Sequence, residues 1–128
     1  MPSSGLTRAF RIVLAHELDQ RVLRALWATG QEVRYESVRR AVREGSPEAF
    51  SRCIARLSAH GLLKRRLERE RGKARYRSLL SPSPWGLAVA QALEGLGKHG
   101  QIPEGLPASV RGQLQRAFMA VGKSPSQA

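Results

Sequence analysis

Two groups of arginines have the type and spacing for chemistry. The first lies in residues 46–67, SPEAFSRCIARLSAHGLLKRRL. Phe50, Cys53, Ile54 and Leu57 recur at helical spacing, which predicts a buried stripe and leaves Ser51, Arg52 and Arg56 on the outward side. A guanidinium is a planar fork of donors that matches guanine O6 and N7, and a helix with one polar face can lie in a DNA major groove. Ser46 and Glu48, at the helix start, are counted with the DNA-contacting residues, although Glu48 also complements the helix dipole. The second group follows at once. Arg69, Arg71, Lys73 and Arg75 crowd a link between two strand-like runs, where they are expected to meet phosphates or enter a narrow minor groove. Arg39 and Arg40, with Arg43, face outward on the preceding helix, which is expected to cross the backbone and position the reading helix. The plain alternative for each group is a solvated charged face.

The charge pattern supports a polyanionic partner. The chain of 128 residues carries a formal net charge of +12 with a pI near 11.5. Residues 62–80 hold eight basic side chains (Lys64, Arg65, Arg66, Arg69, Arg71, Lys73, Arg75, Arg77) against Glu68 and Glu70, which places half of the net charge in one short segment. Hydrophobic residues make up 41%, enough for a core and too many for global disorder. The single cysteine, Cys53, excludes an intrachain disulfide and predicts a reducing, cytoplasmic setting. The N-terminal MPSSGLTRAF has no signal-peptide apolar core, and no run reaches membrane-spanning length, so no membrane partner is expected.

These residues need elements to position them. Residues 1–17 read as a tail and a helix, with Phe10, Val13, Leu14 and Leu18 at helical spacing. Val22, Leu23, Leu26 and Trp27 form a second set. Asp19 is placed to cap that second helix, although one long helix is the alternative, and Thr29-Gly30 ends it. Gln31–Arg34 is an extended link anchored by Val33. Tyr35–Arg43 is a helix with Val38, Ala41 and Val42 inward, and Glu44-Gly45 makes the turn. Ser46-Pro47 starts the next helix, which runs to about His60 before Gly61. Leu62–Leu67 and Arg75–Leu80 pair as an antiparallel hairpin that Ser81-Pro82 breaks. Ser83-Pro84 caps a helix with Trp85, Ala88, Val89, Ala92, Leu93 and Leu96 on one face. Residues 97–105 are a loop. Pro107–Val121 is a last helix with Val110, Leu114, Ala117, Phe118 and Val121 inward, and residues 123–128 are expected to be a disordered tail.

The order helix, short strand, helix, turn, helix, hairpin is that of a winged helix-turn-helix. The run Ala49-Phe50-Ser51-Arg52-Cys53-Ile54-Ala55-Arg56-Leu57, followed by Gly61-Leu62-Leu63, resembles the recognition helix and next strand of MarR-type transcriptional regulators. Tyr76 to Gly86 is similar to that family's second wing strand and the turn into its next helix, and Asp19 to Gly30 resembles its opening helix. The resemblance covers residues 18–96. It implies a mainly α protein with a small β-hairpin (α+β), a winged helix-turn-helix with additional N- and C-terminal helices. It also places Ser51 and Arg52 in the groove. Residues 68–74 lack the family's acidic-arginine wing motif, and its longer dimerisation helices are absent.

Other residue types carry less. Cys53 falls on the inward stripe and reads as a small core hydrophobe rather than a redox sensor. His16, His60 and His99 are dispersed, without ligand partners, so no metal and no cofactor are expected. Trp27 and Trp85 read as core. No phosphate-binding loop, zinc-protease or nucleophile-elbow motif occurs, which argues against an enzyme. The expected function is sequence-selective binding of double-stranded DNA by a transcriptional regulator. It would act as a homodimer through its first and last helices (the last within residues 97–122), because one reading helix covers only a few base pairs. The alternative is a winged-helix adaptor whose partner is a protein of the transcription or replication machinery. Few aromatics (5%) make single-strand RNA recognition weaker still.

Overall fold

A computed structural model describes residues 5–43, 45–72 and 75–122. Its first helix, α1 (Gly5–Leu14), stops two residues before the second, α2 (Glu17–Thr29). The break lies ahead of Asp19, which is not the cap: that position is His16, and its side chain makes no capping bond. A side chain from α2 closes α1 instead. Gln20 Nε2 donates to the carbonyls of Val13 (3.2 Å) and Leu14 (3.3 Å), satisfying groups the helix end leaves open. Asp19 sits on the inward stripe of α2 with no exposed surface. Gly30, at φ 67°, ends α2 in the left-handed conformation that the sequence predicts.

The chain then passes through β1 (Val33–Arg34) into α3 (Tyr35–Val42). Val38 and Val42 face the core, but Ala41 is exposed. Arg43 takes φ 56°, the one non-glycine residue with positive φ among those described, at a cost of about 1 kcal/mol. Glu44, half of the expected turn, lies outside the described residues. Helix α4 (Pro47–Ala59) begins as predicted, with Ser46 Oγ accepting the Ala49 N–H at 3.1 Å and proline in the first turn. It ends at His60, with Gly61 at φ 72° and the Leu62 N–H reaching back to the Leu57 carbonyl at 2.9 Å.

Strands β2 (Leu63–Arg69) and β3 (Tyr76–Pro82) pair antiparallel, and β1 adds to the other side of β3. The register sets Leu67 against Ser78 and Arg69 against Tyr76, with Val33 against Leu80 on the far side. The Glu70 N–H donates to the Arg75 carbonyl, and the Ser83 N–H to the Leu62 carbonyl. Odd-numbered residues of this stretch therefore bond toward β2, and even-numbered ones point the other way. That alternation corrects the expected break at Ser81-Pro82. Pro82 is even-numbered, its missing N–H costs the β2 pairing nothing, and β3 runs through it.

Helix α5 (Pro84–His99) also outruns its expected end, passing through Gly97 to a left-handed Gly100 at φ 68°. Ser83 Oγ accepts the Gly86 N–H at 3.0 Å and donates to the Gly61 carbonyl at 2.5 Å, joining the exit of α4 to the start of α5. A Cβ on Gly86 would lie 1.9 Å from the Leu62 carbonyl oxygen, so only glycine allows this approach. Helix α6 (Ala108–Gly122) packs on α1, and one buried cluster joins α1 to α6 through Phe10, Leu23, Phe50, Ile54, Leu80 and Leu114. The apolar stripes of α1 and α6 are thus largely spent on each other. Phe118 (41% exposed) and Val121 (42%), expected inward, stand outside with Met119. The result is a mainly α protein with a small three-stranded antiparallel sheet. Residues 1–4 and 123–128 lie outside the described part. Among the described residues no helix is long and apolar enough to cross a membrane.

Candidate nucleic-acid interface

The outward side of α4 is built by the burial of its other side. Phe50, Cys53, Ile54 and Leu57 are at most 1% exposed, which turns Glu48, Ser51, Arg52 and Ala55 to solvent. Arg52 is exposed and makes no ion pair with any described residue. Ser46 is occupied as the cap acceptor described above.

Arg56 does not join this face, contrary to the sequence expectation. Its Nε donates to Asp19 Oδ2 at 3.0 Å and its Nη2 to Oδ1 at 2.6 Å. The cause is electrostatic. A carboxylate with no exposed surface needs a cation and hydrogen-bond donors, and a two-pronged guanidinium supplies both. The same hydrogen bond holds the Arg56 guanidinium above its ordinary pKa. Cys53 completes the cluster. Burial pushes its thiol far above the usual range, and its hydrogen bond to the Asp19 carboxylate pushes it further. This agrees with the reading of Cys53 as an inert core residue. A signal for the pair was present in the sequence: Asp19, the chain's one aspartate, lies three and four residues before Val22 and Leu23 on an apolar stripe.

The hairpin holds some of its cations in bonds to its own or neighbouring side chains and exposes others toward its tip. Arg66 grips Glu32 with Nε at 3.1 Å and Nη2 at 2.7 Å, and this bond holds the Glu32 carboxyl below its usual range. Arg77 Nη2 reaches Glu68 across the strands at 3.4 Å. Arg65 donates to Ser78 Oγ at 3.2 and 3.0 Å and stands 5.3 Å over the Tyr35 ring. Tyr35 in turn meets Phe50 edge-on, at 4.9 Å and 89°, so the hairpin base, the start of α3 and the core of α4 converge on one ring. Toward the tip, Arg69, Arg71 and Arg75 are exposed. Arg71 pairs with no described residue, and Arg75 Nε is 3.9 Å from Glu70. Lys73 lies outside the described residues. Leu67 and Tyr76, each 63% exposed, share a face of the hairpin with Arg65 and Arg69. Sequence reasoning passed over this apolar pair, although the alternation Arg65-Leu67-Arg69 encodes it.

Arg39 and Arg40 are exposed on α3, and Arg39 Nη1 stands 3.7 Å from Glu36. A groove of about 320 Å³ lies among Glu36, Arg39, Arg40, Arg43 and Gly45. A second, of about 430 Å³, runs from Arg34, Ser37 and Arg40 on the α3 side to Arg75–Ser78 on β3. Arg40 borders both, so the structure brings the α3 arginines and Arg75 to one surface. Among the described residues no three His, Cys, Asp or Glu side chains are grouped to hold a metal ion. Comparison with protein-family models, with curated proteins and with solved structures gives no match.

Proposed function

We propose that the chain is a sequence-selective double-stranded DNA-binding protein of the winged helix-turn-helix type, acting as a transcriptional regulator in the cytoplasm. The observation that carries this reading is the exposed Ser51/Arg52 face of α4 on the same small domain as a hairpin whose tip holds the exposed Arg69, Arg71 and Arg75. In this reading α4 enters a major groove and Arg52 reads a base edge. The hairpin is the wing, and Arg69, Arg71 and Arg75 meet phosphates. Arg39 and Arg40 hold the flanking backbone, and Arg56 positions α4 through Asp19 without touching DNA. A homodimer would set two reading helices about one helical turn apart. Phe118, Met119 and Val121 on α6 supply an apolar surface for it.

Binding of a random duplex pool, followed through rounds of selection at rising salt, tests the reading. Selection should converge on one site, and log affinity should fall with log salt by about 0.9 per phosphate contact. Arg52→Ala should relax preference at one base position by about 1–3 kcal/mol. Retention of no duplex at low salt, or an Arg52→Ala protein with unchanged preference, refutes it.

A further inference from the structure

We infer that the groove between the start of α3 and the outer half of β3 takes an extended acidic peptide, added to the sheet as a further strand. The main chain carries this inference. β3 is paired with β2 along its length, but β1 covers it only at Leu79 and Leu80, because the chain turns into α3 after Arg34. The alternation set by the Glu70–Arg75 and Ser83–Leu62 bonds points the even-numbered residues away from β2. Tyr76 therefore presents its N–H and C=O, and Ser78 its N–H, along an edge with no strand beside it among the described residues. Both residues line the 430 Å³ groove. A bare edge of this kind is a template for another chain.

The rim selects the occupant. Arg34, Arg40, Arg75 and Arg77 border the groove against only Glu36 and Glu70. Arg34 and Arg40 pair with no described residue. A second copy offering the same edge would bring arginine against arginine, which disfavours self-pairing. A phosphodiester backbone would answer the arginines but carries acceptors alone, leaving the Tyr76 carbonyl without a donor. An extended acidic peptide supplies N–H and C=O groups in alternation and carboxylates for the rim. Because Arg40 and Arg75 are also proposed to meet duplex backbone, a bound acidic strand would compete with DNA.

The experiment is a titration of the full chain, followed by backbone amide NMR. It uses a blocked hexapeptide alternating valine and glutamate, the same peptide N-methylated at every second amide, and a short duplex. The unmodified peptide should shift the Tyr76 and Ser78 amides and slow their exchange with solvent. N-methylation should weaken binding about ten-fold or more, and Arg40→Glu, at an exposed site, should do the same. Equal binding of the methylated peptide would mean that charge alone attracts it, and would overturn the inference. So would shifts at Tyr76 and Ser78 with duplex only, or no binding at millimolar peptide. The duplex reading is judged separately, through Arg52, so either can fail without the other.

Discussion

Arg52 and Arg56 stand one turn apart on α4. Arg56 is drawn back onto a carboxylate with no exposed surface, whereas Arg52 faces solvent with no ion-pair partner among the described residues. The hairpin repeats the contrast in a wetter setting, with Arg66 bound to a partly exposed Glu32 and Arg71 exposed with no ion-pair partner among the described residues. The residue type is constant. What differs is whether a carboxylate lies within reach and how much water surrounds it, and that decides whether an arginine braces the fold or stays available to a ligand.

The largest effect should come from the α2–α4 seam. Arg56→Ala leaves the Asp19 carboxylate buried without its cation and should cost about 3 kcal/mol in urea unfolding, toward the low end for a broken buried pair because the Arg56 side chain keeps 28% exposure. Replacing both partners, Asp19→Leu with Arg56→Met, should recover most of that loss; a double variant as unstable as the single one would show that the pair is not the cause. Cys53 offers a second readout at the same seam. A disulfide reagent at neutral pH should label it only as fast as the protein opens, and faster in Arg56→Ala.

The open face should behave in the opposite way. Arg52→Ala should change stability by less than about 0.5 kcal/mol while altering base preference. A stability loss comparable to that of Arg56→Ala would erase the contrast between the two positions. Smaller still is the hairpin brace. Arg66→Ala should lower stability slightly in low salt and not measurably in high salt, as expected of an exposed pair. Its pH signature has a definite sign. Arg66 holds the Glu32 carboxyl below its ordinary range in the fold, so the contribution of the pair is complete above the ordinary carboxylate range and is lost as pH falls through the depressed folded value. Glu32→Gln should flatten that part of the acid limb, and an unchanged limb would show that the bond carries no stability.

Local chemistry was legible in the chain and distant pairing was not. Ser46-Pro47 and Ser83-Pro84 mark helix starts because cap and first turn are neighbours in sequence. The hairpin shows itself through strand-like residues on either side of Gly72. Asp19 misleads because its polarity fits a cap equally well, and only the fold brings Arg56, 37 residues away, to its side. Pro82 and Gly97 read as breaks from propensity alone. Strand direction makes the proline harmless, and a helix already held by packing tolerates the glycine, at about 1 kcal/mol. Of the outward arginines, Arg39, Arg40, Arg52, Arg69, Arg71 and Arg75 are exposed as expected. Phe118 and Val121 invert their expected burial because α1 covers only part of α6.

Ser83 makes the β2–β3 arm separable from the body that carries it. One hydroxyl clasps the residue before the arm departs, Gly61, and the turn after it returns, Gly86, while the Ser83 amide holds the Leu62 carbonyl. The two roots are pinned together whatever happens farther out. Residues between Arg69 and Tyr76 can accordingly be lengthened, shortened or exchanged as a cassette, changing how far the arm extends and what it carries while the joint keeps its shape.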